Sequence, residues 1–355
     1  MKKLALLGGG YGGMRILQRL FASGIPDDYE IILIDRTPYH SLKTEFYALA
    51  AGTIPDHLIR VAFPEHEKLT ICNAEVTRID LDNHRIELED HEDIEYDELI
   101  IGLGCEDKYH NVPGADEYTH SIQTIRQARK TYTTLNNLPM NSSVAIVGAG
   151  LSGVELASEL NESRPDLTIY LFDRKPVILG TFPEKISNFV NDWFVEHGIK
   201  VINNANITKV EKGLIYNHNE PIPVDVTVWT AGIQPNKIVQ ELDVEKDDSG
   251  RIVLTPHHYI PEYPNVYVVG DCASLPFSPS AQLAEAQGEQ IVEVILKRWR
   301  DEELEEELPE IRLKGTLGSL GKKQGFGLIN EIPLTGRVPR LLKSGVLWLY
   351  RFHNG

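Results

Sequence analysis

The sequence predicts an α/β chain in which one strand–glycine loop–helix–strand unit occurs twice, each copy closing on an aspartate. The first copy opens with the apolar run 3–7 (KLALL), short and continuous as a buried parallel strand is. Gly8-Gly9-Gly10-Tyr11-Gly12-Gly13 follows, then the helical pattern MRILQRLFAS, then the apolar strand YEIILID ending on Asp35. The same order recurs mid-chain: strand VAIV (144–147), Gly148-Ala149-Gly150-Leu151-Ser152-Gly153, helix VELASELNES, and strand LTIYLFD ending on Asp173. First glycine and acid stand 27 residues apart in one copy and 25 in the other. Two more segments fit a parallel sheet. IEYDELIIGLG (94–104) reads as a strand closing on a glycine turn at Gly104. NVYVVGDCAS (265–274) reads as a buried strand ending in Gly270-Asp271, with a helix from about Ser280.

A single G-x-G-x-x-G arises easily by chance. Two copies, each between a strand and a helix with an acid at the end of the next strand, match the dinucleotide-binding fingerprint. In that reading Gly8 and Gly148 make the tight turn out of the strand, and Gly10 and Gly150 keep side chains away from a pyrophosphate. Gly13 and Gly153 let helix and strand approach, and the helix N-termini offer N–H groups to phosphate. Asp35 and Asp173 accept hydrogen bonds from ribose hydroxyls, and Tyr11, Gly12, Arg36, Leu151 and Ser152 complete the expected contacts. Asp173 disfavours the 2′-phosphate of NADPH while the adjacent Arg174 could accommodate it, so the reading leans to NADH and leaves NADPH open. Asp271, just past its strand, suits the ribityl chain of an extended FAD, and the helix behind it suits the ring's carbonyl edge.

At 355 residues the chain is sized for two domains with an extension. Its formal charge of −17 argues against a nucleic-acid partner, since a phosphate backbone needs a dense cationic face. That charge is uneven: residues 311–355 carry eight Lys/Arg against Glu331 alone. Cys72, Cys105 and Cys272 lie far apart with no C-x-x-C pair, which indicates a reducing compartment and neither disulfide framework nor metal cage. The twelve histidines show no metal-ligand spacing, so no metal is expected. The start MKKLALLGGG imitates a signal peptide, but its apolar run is too short, and no stretch approaches the ~20 apolar residues of a transmembrane helix. The expectation is a cytoplasmic protein, at most peripheral to the inner face of a membrane.

YHSLKTEFYALAAG (39–52), VGAGLSGVELASEL (147–160), TVWTAGIQPN (227–236), VYVVGDCA (266–273) and AQLAEAQGEQ (281–290) together resemble the type II NADH:quinone oxidoreductases, among the flavoprotein reductases with two dinucleotide-binding domains. The resemblance covers almost the whole chain. It implies the glutathione-reductase-like fold: a discontinuous FAD domain (1–113 and 248–310), an inserted NAD(H) domain (114–247), and a C-terminal extension (311–355) for membrane or dimer contact. It also implies non-covalent FAD, NADH docking on one ring face, quinone entering from the other side, and a homodimer. Glu155 would then face nicotinamide and flavin, orienting the one or relaying a proton toward quinone. Its bland alternative is an acid favoured by the helix dipole. Lys43 and Glu45 would meet the flavin ring, Gln282 and Leu283 would border it, and Thr230, Ala231 and Gly232 would lie along NADH.

Other chemistries of this fold fit less well. Disulfide reduction needs a cysteine pair beside the flavin, and single-thiol relatives carry a cysteine close to where this chain has Lys43. Cys272 reads as a small buried filler. Two departures from the resemblance stand out. Ala286 replaces a glutamine of the A-Q-x-A-x-Q-x-G pattern, and RVPRLLKSGVLWLYRF takes the place of longer anchoring helices. This segment mixes apolar and basic residues and suits an anionic membrane surface, its own body or a dimer contact. DEELEEELPE (301–310) reads as a solvated connector. The expected function is transfer of hydride from NADH to FAD and of electrons on to quinone. The alternatives are a soluble diaphorase with another acceptor and a nucleotide-binding redox sensor.

Overall fold

The structure, a computed structural model, describes residues 1–354. The chain forms two compact units: residues 1–41, 61–106 and 234–313 make the first, and residues 42–60, 107–233 and those from Lys314 onward make the second.

The first unit is built on a six-stranded sheet. Leu69–Cys72, Tyr29–Ile34, Lys2–Leu7, Glu98–Ile101 and Tyr263–Val268 run parallel in that order, and Tyr259–Ile260 closes the edge antiparallel. Leu4, Ala5, Leu6 and Leu7 are all fully buried, so both faces of the central strand are covered, as a parallel sheet requires. On one face Ala5, Leu7, Leu99, Ile101, Val266 and Val268 share a core with Ile79 and Ile86 of a three-stranded antiparallel sheet. The Tyr11–Ser23 helix packs against the long Ala281–Trp299 helix, whose N-terminus is capped by the Ser280 hydroxyl accepting from the Leu283 N–H at 3.1 Å.

The second unit repeats the plan. Thr119–His120, Val226–Trp229, Ser143–Val147, Thr168–Phe172 and Lys200–Ile202 form an all-parallel sheet in that order. Ala145, Val147, Phe172 and Trp229 share a core with Val210 and Ile215 of another antiparallel three-stranded sheet and with Val224 just past its last strand. This unit also carries a second antiparallel sheet, Gly315–Leu320, Gln324–Ile329 and Ile332–Gly336, on which the Arg337–Asn354 helix packs.

The units differ from the expected boundaries in three places. Residues 42–60 fold with the second unit: all six residues of the Phe46–Ala51 helix are buried, and it packs against the Ile125–Asn136 and Leu151–Ser163 helices. Lys43 and Glu45 therefore sit in the second unit. The crossings fall at 106/107 and 233/234. The Trp229 indole N–H donates to the Lys108 carbonyl (3.0 Å) and the Lys108 N–H to Gly232 (3.0 Å), while Val239 and Leu242 enter the first unit's core. Finally, the segment from Lys314 onward joins the second unit, with Gly355 outside the described residues.

Candidate nucleotide and electron-transfer sites

The two glycine loops match bond for bond. The N–H of Gly8 donates to Ile34 and that of Gly148 to Phe172, both at 2.8 Å. Gly8 and Gly148 have φ of +95° and +104°, where a side chain is strained, and a Cβ at either would press on neighbouring backbone. A Cβ on Gly13 would lie 2.2 Å from the Gly8 carbonyl oxygen, and one on Gly153 would lie 1.9 Å from that of Gly148.

The middle glycines are different. Gly10 (φ −72°, ψ −167°) and Gly150 (φ −74°, ψ −172°) have backbone angles open to any residue, and a Cβ on either would meet nothing within 4 Å. The protein itself has no use for glycine there. Each stands at the N-cap of a 13-residue helix that no side chain caps. Open space before an uncapped helix N-terminus, cleared by a glycine the fold does not need, fits a pyrophosphate.

Asp35 and Asp173 are busier than the sequence suggests. Asp35 accepts from the N–H groups of Gly9 and Thr37, both at 2.7 Å, and Asp173 from those of Ala149 (2.8 Å) and Lys175 (2.7 Å). Each acid therefore knits its own loop, and a carboxylate's further lone pairs stay available to ribose. Arg36 is exposed, 3.8 Å from Glu75. His40, which sequence reasoning did not single out, is 1% exposed, and its Nδ1 lies 2.8 Å from the Gly9 carbonyl. Burial lowers its pKa to about 4, so the ring is neutral and Nδ1–H donates. Tyr11 meets His40 edge-on at 4.9 Å.

In the same unit Gly270 turns with φ +77°, and Asp271 follows in a short 3-10 turn. The Gly270 N–H donates to Gln287 Oε1 (2.8 Å), and Gln287, fully buried, donates in turn to the Val268 carbonyl (3.0 Å). Gln282 and Leu283 lie in the first turn of the following helix, Leu283 buried. Cys272 is fully buried against the Gly104 carbonyl (Sγ···O 3.1 Å).

In the second unit the Thr230 hydroxyl bridges the carbonyls of Val147 (2.9 Å) and Gly148 (3.0 Å), fixing the strand end beside the loop. The Ala231 carbonyl faces His110 Nε2 at 2.8 Å, and Gly232 takes φ +134°. Leu151 is half-buried and Ser152 exposed.

At the fifth residue of the Leu151–Ser163 helix, Glu155 anchors a buried polar cluster. Its Oε1 accepts from the Ser319 N–H (2.8 Å) and from the Lys343 ammonium, and its side chain is only 4% exposed. Lys343 also donates to the Tyr47 hydroxyl (2.9 Å) and lies 3.9 Å from Glu45, while the Tyr47 and Ser319 hydroxyls are 3.0 Å apart. Burial alone would pull the Lys343 ammonium down; the bonded Glu155 carboxylate, with Tyr47 and Glu45 beside it, outweighs burial and holds its pKa above the ordinary lysine range. For Glu45 burial wins over the nearby cations and raises the carboxyl to about 7. Burial likewise raises Glu159, which is 2% exposed.

The sequence singled out Glu155 but not its partner. Lys43 sits half-buried in the Lys43–Glu45 turn; the lysine that binds Glu155 is Lys343, from the C-terminal helix. Pro339, Lys343, Leu347 and Tyr350 recur at helical spacing among the less exposed positions of that helix, a signal the sequence carried but which points inward only once the helix is seated.

Residues 2–289 match the pyridine nucleotide-disulphide oxidoreductase family. The chain is 65% identical to the NADH dehydrogenase-like protein YutJ of Bacillus subtilis over 355 residues, the full length of both. It is 27% identical to a type II NADH:quinone oxidoreductase of Staphylococcus aureus over 97% of this chain and 93% of that one. Its fold is that of NDH2 from Plasmodium falciparum, solved in complex with NADH, with a TM-score of 0.83, 19% identity, and coverage of 99% and 96% of the two chains. FAD and NADH, the cofactors this relationship implies, meet two loops whose middle glycines leave room for a pyrophosphate. The chain belongs to the pyridine nucleotide-disulphide oxidoreductase family.

Proposed function

We propose that the first unit holds FAD, the second holds NADH, and electrons leave the flavin for a quinone. The observation that carries this reading is the Glu155–Lys343 cluster. It places an ammonium, two carboxyls and two hydroxyls in a nearly dry site on the second fingerprint helix. Reduction of a quinone consumes protons, and such a cluster can hold and move them. Reduction of a disulfide would need thiols. None of the three cysteines is in a disulfide, and Cys272 is buried against the Gly104 carbonyl.

When bound, FAD supplies the two-electron chemistry; the chain's residues position and protonate. In this reading Gly8, Gly10 and Gly13 cradle the FAD pyrophosphate, and Asp35, Gly104, Gly270, Asp271, Gln282 and Leu283 border the rest. Gly148, Gly150 and Gly153 take NADH, with Asp173 toward its ribose and Ala231 and Gly232 along its length. Gln287 holds the Gly270 turn in place, and neutral His40 holds the Gly9 carbonyl.

The C-terminal helix suits the surface in which such an acceptor dissolves. Val338, Leu341, Val346, Trp348 and Phe352 are each 58–71% exposed, beside exposed Arg337, Lys322 and Lys323. No helix among the described residues is long and apolar enough to cross a membrane, so the contact in this reading is peripheral. The test is NADH-driven reduction of a long-chain quinone held in anionic vesicles, beside a water-soluble dye. The expected result is rapid quinone reduction that added salt suppresses while dye reduction persists. Dye reduction alone, with the quinone untouched, would return the function to a soluble diaphorase.

A further inference from the structure

We propose that Glu45 stores the proton that re-supplies Lys343, making the buried Glu45–Lys343–Glu155 group a proton-feeding station. The inference rests on the reading of a quinone as acceptor. It begins from an imbalance in the cluster. Lys343 faces two buried carboxyls but bonds only one: Glu155 takes the ammonium and the Ser319 N–H, whereas Glu45 Oε1 stands 3.9 Å from the same nitrogen. Glu45 is 6% exposed. Around it stand Lys343 and Arg340 from the C-terminal helix, Glu155 and Glu159 from the Leu151–Ser163 helix, and Tyr47 from the helix that Glu45 itself leads into. Two cations thus face three buried acids. Like charges crowded into a dry site cannot all ionise, and the acid with the poorest bonding keeps its proton. Arg340 is committed elsewhere, donating to the Gly321 carbonyl at 3.0 Å and to Ser344 at 2.8 Å. Burial raises Glu45 to about 7, which agrees with this assignment.

The proton balance gives the stored proton a use. A quinone becoming a quinol takes up two electrons and two protons. NADH delivers two electrons and one proton as hydride, so one proton per turnover comes from water through the protein. In the proposed step Lys343 gives an N–H proton to the acceptor oxygen. The Glu45 O–H proton restores the ammonium, and Glu45 then recovers a proton from water. No other oxidant or reductant is needed. Glu45 acts through Lys343 and positions the proton without touching the acceptor.

Glu45→Gln tests this, because the amide copies the shape of the protonated acid and the variant should fold. Three readouts on the FAD-loaded protein decide. In infrared difference spectra between pH 6 and pH 8.5, the wild type should lose a protonated-carboxyl C=O band that Glu45→Gln never shows. The rate at which quinone re-oxidises the reduced protein should fall above pH 7 in the wild type. In Glu45→Gln it should be flat and about a hundredfold slower at pH 6. Thermal stability should separate in the same sense. A carboxyl whose folded pKa is raised stabilises most when protonated, so wild-type stability falls as pH rises from about 4.5 through 7. The melting temperature of Glu45→Gln should therefore overtake the wild type's with rising pH. An unchanged infrared difference in Glu45→Gln, or a slower rate that keeps the wild-type pH inflection, would overturn the proposal. If quinone fails to oxidise even the wild type, the proposed function is lost, and the infrared comparison alone decides whether Glu45 carries the proton.

Discussion

Gly150→Ala is expected to leave the protein folded and flavin-loaded while weakening NADH binding about a hundredfold, or about 3 kcal/mol. The prediction follows from what the fold does not need. Gly150 has a φ of −74° that alanine adopts freely, and the added methyl meets no protein atom within 4 Å. In the absence of ligand the stability should change little, because alanine's restriction of the unfolded chain is offset by its poorer fit at an N-cap. The loss falls on the ligand, whose pyrophosphate must approach the helix N-terminus through the space the methyl fills. Gly10→Ala should show the mirror result: a folded protein that loses FAD. Gly153→Ala is the control for structural damage, since its Cβ would lie 1.9 Å from the Gly148 carbonyl oxygen. The checks are the NADH concentration giving half-maximal flavin bleaching and the melting temperature. An unchanged NADH requirement in Gly150→Ala would mean that the second loop does not hold the nucleotide.

Lys343→Met should have the largest effect on stability. It removes the cation bonded to Glu155, whose side chain is 4% exposed, and leaves that charge with the Ser319 N–H. Breaking a buried pair from one side costs about 3–5 kcal/mol, far more than the pair contributes against a neutral replacement. The double variant Lys343→Met/Glu155→Gln should therefore recover most of the loss, a coupling that a double-mutant cycle measures directly. Function should divide as well. NADH should still bleach the flavin, while re-oxidation by quinone slows at least tenfold because its proton source is gone. Equal slowing of both half-reactions would mean that Lys343 only holds the C-terminal helix in its seat.

The two nucleotide loops were legible because several constraints act on a few adjacent residues. A strand must turn, a helix must pack on it, and a ligand must reach the backbone, and only glycine answers each demand at its place. The parallel strands were legible for a related reason: runs such as KLALL and VAIV are buried on both faces. The placement of residues 42–60 was not. A helix with all six residues buried reads alike whichever sheet it covers, so contiguity assigned it to the first unit and packing assigned it to the second. The bonds of Asp35 and Asp173 to their own loops were invisible too, since they depend on where turn N–H groups point. Lys343 was the costliest omission. In RVPRLLKSGVLWLYRF the apolar residues draw attention, yet many of them face outward, and the lysine reaches inward to acids nearly 190 and 300 residues earlier in the chain. A buried charge is recognised by its partner, and the partner is known only from the fold.

In the proposed function, hydride held in one glycine-loop unit reaches flavin held in the other. Anaerobic titration of the flavin-loaded protein with NADH tests it most directly. One NADH per flavin should bleach the visible absorbance, and one equivalent of short-chain quinone should restore it. NADH that binds yet leaves the flavin oxidised would mean two nucleotide sites without electron transfer between them, and the proposed function would fall.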